Sequence, residues 1–131
     1  LIHLSVGQQA SASRTFTAAD VAAYRTLSGD STLRFGPVQN EAEMVPGPLL
    51  SGMFSDLLGT KLPGRGTNWL KQSLRFPAAA RVGERVTAVV QIIRIRPEKA
   101  LVNLRTTCVT TTGTVVCEGE ALVLVEDLEK S

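Results

Sequence analysis

The sequence predicts one α+β domain, in which two helices precede an antiparallel β-sheet within 131 residues. Two observations lead to this prediction. Apolar residues at helical spacing, bounded by capping and stop residues, mark two segments in the first half. From Thr67 onward, runs rich in Val, Ile, Thr and Leu are joined by short turns, which is typical of antiparallel strands. With no internal repeat or linker, residues 1–131 are expected to form a single domain.

The first half begins with a mixed segment, residues 1–16, which predicts one or two short strands. The stretch TFTAADVAAYRTLSGD then predicts the first helix. Thr17 is the expected N-cap, and Asp20 occupies the capping-box position three residues later. Gly29 provides the stop signal.

The stretch PGPLLSGMFSDLLG predicts the second helix, which is the most apolar in the chain. Pro48 suits the first helical turn because an N–H would have no helical partner there. Gly59 and Pro63 are expected to end the helix. Its broad apolar face indicates a deeply buried element; the residues on that face are Leu49, Leu50, Met53, Phe54, Leu57 and Leu58.

Four strands are predicted in the second half: TNWLKQSLRF, ERVTAVVQIIRIR, ALVNLRTTCVT and TGTVVCEGEALVLVE, with PEK as a turn. Their short connections predict an antiparallel meander. The long strand carries apolar residues on both faces, so a helix, a partner subunit or both must cover the sheet. One face is expected to carry Val86, Val90 and Ile92, and the other Val89, Ile93 and Ile95.

The two cysteines, Cys108 and Cys117, lie in a predicted hairpin. A two-residue turn at Thr112-Gly113 would place them opposite each other on neighbouring strands. Two reduced thiols packed side by side are expected, although a disulfide is a possible alternative. No metal is expected, since the pair lacks zinc-ligand spacing and the one histidine, His3, is far away in sequence.

Bulk composition excludes some classes of function. Charged residues make up 20% of the chain and the net charge is +2, with Lys and Arg scattered, which gives no case for nucleic acid. No apolar run approaches the ~20 residues that span a bilayer, and no signal-peptide pattern is visible. A cytoplasmic protein that binds no membrane is expected.

Three stretches resemble the MaoC-like, (R)-specific enoyl-CoA hydratase family: LSGD, PGPLLSGMFSDLLGTKLPGRGTNWL and QSLRFPAAARVGERVTAVVQIIRI. The resemblance extends over about residues 8–126. It implies a hot-dog fold, in which a curved antiparallel sheet wraps around a central helix, usually in a dimer. It also implies addition of water to a trans-2-enoyl thioester, or the reverse reaction, without a cofactor.

The resemblance assigns catalytic roles to three residues of this chain. Asp30 matches the family's acid–base aspartate. Gly47 matches the glycine that opens the central helix and whose N–H polarises the thioester carbonyl. Ser55 matches a serine farther along that helix, which supports the site.

The sequence departs from the family pattern at both histidines. The histidine five residues after the aspartate is replaced by Phe35 or, with a one-residue deletion, by Arg34, and the helix-opening histidine by Pro46. Phenylalanine cannot transfer protons, and arginine stays protonated near neutrality. Loss of one general acid–base group is expected to lower the rate by on the order of 10²–10⁴.

Four residues are expected to contact the substrate. Arg34 and Phe35 follow Asp30 in the same loop, where Arg34 could bind a phosphate or carboxylate or pair with Asp30. Lys61 and Arg65, in KLPGRG, could bind the phosphates of coenzyme A or the acidic surface of an acyl carrier protein.

Three functions remain open at this point. The chain could be a hydratase or dehydratase with an altered site. It could be a hot-dog thioesterase or tailoring enzyme, since Asp30 and Gly47 would suffice to activate water and polarise a carbonyl. It could also be a non-catalytic subunit or an acyl-thioester binding module, so that a homodimer and a heterodimer with a catalytic hot-dog subunit are both expected partnerships.

Overall fold

Two α-helices and five strands are found in residues 3–28 and 44–126, the part of the chain that this computed structural model describes. Each predicted element is present within a few residues of its predicted bounds. Helix α2 ends at Thr60, so Gly59 lies inside the helix rather than ending it. The elements are β1 (Gln9–Thr15), α1 (Ala18–Ser28), α2 (Gly47–Thr60), β2 (Thr67–Arg75), β3 (Arg85–Arg96), β4 (Leu101–Thr110) and β5 (Val115–Val125), with a 3₁₀ turn at Pro97–Lys99.

The predicted capping box begins α1. The Thr17 N–H donates to Asp20 Oδ2 at 2.8 Å, and the Asp20 N–H donates to Thr17 Oγ1 at 3.1 Å. The bond from the Thr17 backbone is the main reason why the pKa of Asp20 lies below its ordinary value of 3.8. Arg14 approaches the same carboxylate at 3.6 Å.

The five strands form one antiparallel sheet in the order β1-β3-β4-β5-β2. The predicted meander is confirmed for β3, β4 and β5. Strand β2 does not pair with β3, its successor in the sequence, but with β5 at the far edge. It passes so close to β5 at Gly119 that a Cβ there would lie 1.8 Å from the Ser73 carbonyl oxygen.

Helix α2 packs on the concave face of this sheet and forms the core with it. Apolar residues recur on its inner side, and alternate residues of β3 and β4 are buried beneath it. The burial expected for this helix is therefore confirmed. The fully or almost fully buried residues of α2 are Leu50, Phe54, Leu57 and Leu58.

A β-bulge in β3 changes the predicted face of one residue. Ile92 pairs with Leu104 and Arg94 with Asn103, which leaves Ile93 as the extra residue. Beyond the bulge the alternation is shifted by one, so Ile95 packs against the core. The prediction that Ile95 lies on the outer face was wrong for this reason.

The cysteine pairing is as predicted, although the turn is not. Cys108 and Cys117 are directly opposite, buried and unbridged. The chain reverses over residues 111–113, with Thr110 bonded to Thr114, and a bulge next to Cys108 restores the expected register. Burial raises the pKa of both thiols to about 12.

Candidate active site

Among the residues that the structure describes, the amino end of α2 presents one unpartnered backbone donor. Pro46 is the N-cap, provides no side-chain cap, and has no N–H; nor has Pro48. The Leu49 N–H is bonded to the Pro46 carbonyl at 3.0 Å. This leaves the Gly47 N–H, which is bonded to none of the residues that the structure describes.

The position of this donor is fixed by its surroundings. Pro46 and Gly47 are buried, and the preceding Val45 N–H donates to the Ala80 carbonyl at 2.8 Å. The first turn of α2 contains no acidic residue, so nothing within it neutralises the positive end of the helix dipole. A buried N–H with this electrostatic environment is suited to bind a carbonyl oxygen that gains negative charge.

Ser55 lies two turns farther along α2, roughly 12 Å from Gly47 at the ordinary helical rise. It is exposed, and its hydroxyl has no hydrogen-bond partner among the described residues. In contrast, the neighbouring Ser51 hydroxyl donates to the Pro48 carbonyl at 3.1 Å within the helix. Within the part of the chain that the structure describes, the Ser55 hydroxyl is therefore available to a ligand, whereas the Ser51 hydroxyl is bonded within its own helix.

One flank of α2 faces the edge strand β1. Leu49, Gly52 and Asp56 share a flank that faces β1, because they line a groove together with β1 residues. At 100° per residue, Ser55 lies about 60° around the helix axis from Gly52, and it does not line this groove.

Lys61 and Arg65 lie at the other end of α2. Lys61 is its C-cap residue, roughly 21 Å along the helix from Gly47. The Lys61 ammonium donates to the Ser11 carbonyl at 3.2 Å, and Arg65 is exposed in the following turn. Within one protomer the structure therefore separates these two cations from the amino end of α2.

Three of the predicted site residues, Asp30, Arg34 and Phe35, lie outside the described residues. Among the residues that are described, no group of three His, Cys, Asp or Glu side chains could hold a metal ion. None of the described helices has the length and hydropathy needed to cross a bilayer.

The edge strand β2 carries a row of exposed apolar residues. Trp69, Leu70 and Leu74 are 41%, 51% and 37% exposed, and no residue of β2 is buried. Leu70 is the extra residue of a bulge between Trp69 and Lys71. The sequence places these residues in a strand, but their exposure could not be predicted without the edge position and the bulge.

The comparisons with known proteins agree with this architecture. The sequence is 41% identical over 126 residues to the (R)-specific enoyl-CoA hydratase of Aeromonas caviae, covering 92% of this chain and 94% of that protein. The chain belongs to the MaoC-like, (R)-specific enoyl-CoA hydratase family. No protein-family model matches the sequence.

A further relative and a solved structure extend the similarity. The chain is 30% identical to the 3-hydroxybutyryl-CoA dehydratase of Methylorubrum extorquens, covering 98% of this chain and 85% of that one. The solved structure of the A. caviae (R)-hydratase involved in PHA biosynthesis superposes with a TM-score of 0.85, covering 93% and 97% of the chains at 41% identity. The hot-dog fold is confirmed, and the named relatives make this a family of hydro-lyases.

Proposed function

We propose that this chain catalyses the addition of water to trans-2-enoyl thioesters of coenzyme A or an acyl carrier protein, or the reverse dehydration. The observation that carries the proposal is the 41% identity to an (R)-specific enoyl-CoA hydratase over nearly the whole of both chains. The Gly47 N–H, which no described residue bonds, supports it, because the reaction needs a hydrogen bond to a carbonyl that becomes enolate-like.

In the proposed reaction, Asp30 takes a proton from water, and the water oxygen bonds to the β-carbon of the enoyl group. Electrons move onto the thioester oxygen, where the Gly47 N–H stabilises the charge. A proton is then returned to the α-carbon, and Asp30 is the group that we propose to return it. Without the family's histidine, one carboxyl must perform both proton transfers. The rate should therefore be lower than that of a family member with the histidine by on the order of 10²–10⁴.

The remaining residues would bind the substrate. We propose that the hydroxyl of Ser55, which has no hydrogen-bond partner among the described residues, supports the site from α2. Arg34 and Phe35 are proposed to contact the acyl thioester next to Asp30. Lys61 and Arg65 are proposed to bind phosphates, and their distance from Gly47 requires that a long carrier arm separate those phosphates from the thioester.

We propose a homodimer that forms through β2. An unpaired strand edge with three exposed apolar side chains is a surface that a second strand would cover. A heterodimer with a second hot-dog subunit would use the same edge. We place the protein in the cytoplasm, where its two free thiols fit the reducing conditions, and cell fractionation would test this.

The experiment is to incubate the protein with crotonyl-CoA and to follow enoyl absorbance and free thiol together. Loss of absorbance without thiol is the expected result. Asp30→Asn should abolish the activity, whereas Glu98→Gln, which removes a carboxylate from an exposed turn, should not change it. A fully active Asp30→Asn enzyme would refute the assignment of Asp30.

The same assay distinguishes the alternative functions. Release of thiol at the rate of substrate loss would show that the chain hydrolyses the thioester and does not hydrate the double bond. If no reaction occurs with acyl groups of several lengths, on coenzyme A or on a carrier protein, the chain is a non-catalytic subunit or a binding module. Activity that appears when a MaoC-like partner is added would then show that this chain is a non-catalytic subunit.

A further inference from the structure

A groove of about 520 Å³, a volume typical of small-molecule sites, extends along α2 beside β1. At the amino end of the helix it begins at Pro48, the residue after Gly47. It extends to Asp56, and five residues farther on the Lys61 ammonium donates to the Ser11 carbonyl of β1 at 3.2 Å. The groove therefore lies between the two ends of α2 that the proposed function uses.

The lining of the groove mixes polar and apolar surface and offers no unpaired cation. The Arg14 guanidinium lies 3.6 Å from the Asp20 carboxylate and 4.6 Å from the centroid of the Phe16 ring, so both already engage it. Asp56 adds a negative charge to the lining. An anion would therefore be repelled by Asp56 without a free cation to offset the repulsion. The groove suits an uncharged ligand that carries hydrogen-bonding groups on an apolar chain.

Gly52 keeps this groove open. It lies in the middle of α2, where glycine is less favourable than alanine. A Cβ at Gly52 would meet nothing within 4 Å, so packing within the chain does not require a glycine there. Across the groove, β1 contributes the small side chain of Ala12. A ligand in the groove would account for a glycine that the fold itself does not need.

We propose that the groove holds the pantetheine arm of the substrate's carrier and that Gly52 gives the arm its room; this rests on the function proposed above. The arm carries two amides and one hydroxyl on a chain of methylenes and a dimethyl carbon, and it has no charge. Its chemistry therefore matches the mixed lining. Because coenzyme A and acyl carrier proteins share this arm, the groove serves either carrier.

The length of the arm agrees with the two ends of α2. About thirteen bonds separate its sulfur from its phosphorus, the backbone length of about four residues, or roughly 14–16 Å when extended. A thioester and a phosphate oxygen, each with its hydrogen bond, extend this to the roughly 21 Å between Gly47 and Lys61. The amide nitrogen nearest the phosphate lies about six bonds, roughly 7 Å, from phosphorus. Asp56 precedes Lys61 by roughly 7.5 Å along the helix, so its carboxylate is placed to accept that N–H.

The first experiment compares thioesters that differ in the length of the arm. Crotonyl-CoA carries the whole arm, whereas crotonyl-N-acetylcysteamine ends near the amino end of the groove. Gly52→Leu should raise the KM for crotonyl-CoA by about tenfold or more and leave kcat nearly unchanged, because contacts to the arm are the same in the ground and transition states. The KM for crotonyl-N-acetylcysteamine should change little.

Gly59→Leu is the matched control for this substitution. Gly59 is also an exposed glycine of α2 with open space around its Cβ position, but it does not line the groove. This variant should keep the wild-type KM and kcat for both thioesters. Thermal unfolding establishes that both variants are folded.

The second experiment measures binding without turnover. Butyryl-pantetheine, which has a saturated acyl group and no phosphate, is titrated into the full chain by isothermal calorimetry, and one molecule per chain should bind. Asp56→Ala should weaken this binding by about tenfold, the effect of losing one charge-assisted hydrogen bond, and Gly52→Leu should weaken it at least as much. Glu98→Ala, in an exposed turn outside the groove, should not change it.

The outcomes separate this proposal from the hydratase assignment. A chain that binds butyryl-pantetheine in the groove, as shown by Gly52→Leu, but does not hydrate crotonyl-CoA would support the groove and overturn the assignment. A wild-type KM of Gly52→Leu for crotonyl-CoA, or an equal rise in KM for both thioesters, would overturn the groove alone. So would absence of saturable binding of butyryl-pantetheine, or binding that Gly52→Leu does not weaken.

Discussion

Gly119 shows how a single missing side chain sets the path of a strand. Its Cβ position lies 1.8 Å from the Ser73 carbonyl oxygen and 2.7 Å from the Ser73 carbonyl carbon. Both atoms belong to the backbone of β2 and cannot rotate away. The close approach also allows the Gln72 amide to lie over Gly119 and donate to the buried Thr106 hydroxyl at 3.0 Å.

Gly119→Ala should therefore displace β2 and lower the free energy of unfolding by about 1–3 kcal/mol, the usual cost of overpacking. Gly59→Ala should act in the opposite direction, raising it by about 0.5–1 kcal/mol, since its Cβ has open space and alanine favours the helix. Urea denaturation measures both. A Gly119→Ala protein as stable as wild type would show that β2 does not need this contact.

At the scale of the element, α1 depends on its first turn. The reciprocal bonds between Thr17 and Asp20 satisfy two backbone donors that the helix itself cannot satisfy. Because the folded-state pKa of Asp20 is lowered, its contribution to stability is present above the ordinary carboxyl pKa. It is lost as the pH falls through the folded-state pKa.

Thr17→Ala should reduce the free energy of unfolding by about 1 kcal/mol at neutral pH. Asp20→Asn should also lower the free energy of unfolding near neutrality. The difference in that free energy between the variant and the wild type should vanish well below pH 3.8. Denaturation at several pH values checks both. A difference that persists unchanged in acid would mean that the charge of Asp20 is not what stabilises the turn.

The elements that could be predicted are those whose signals are local. The cap at Thr17 and the proline at position 48 determine where helices begin through their own backbone chemistry, and the position of Gly47 at a helix start follows from them. The bulges at Ile93 and near Cys108 could not be predicted, because they depend on which strand each one faces. The flank occupied by Ser55 and the contact of Lys61 with Ser11 depend on tertiary packing in the same way.

At the scale of the whole molecule, the sheet has two edges with different characters. Strand β1 carries mainly small and polar residues, QASASRT, and packs beside α2. Strand β2 exposes Trp69, Leu70 and Leu74, so one edge of the molecule is considerably more apolar than the other. An asymmetry of this kind favours closed pairs over extended chains of subunits.

The wild-type chain should therefore be a dimer at micromolar concentration, and Leu70→Lys should convert it to a monomer by placing like charges close together across the pairing. Val6→Lys is the control, because Val6 is 64% exposed and precedes Gly7, whose N–H donates to the Ile92 carbonyl on the β1 side of the sheet, away from the β2 edge. Analytical ultracentrifugation distinguishes the two states. A monomeric wild type, or a Leu70→Lys dimer of unchanged affinity, would contradict pairing through β2.

The two prolines that flank Gly47 have a consequence for enzyme engineering. Each removes one backbone N–H from the amino end of α2, so the number of available donors can be raised stepwise by single substitutions. Pro48→Ala and Pro46→Ala would each add one N–H without adding a functional side chain group. The chain thus offers a way to measure how the rate of a thioester reaction depends on the number of hydrogen bonds at one helix end.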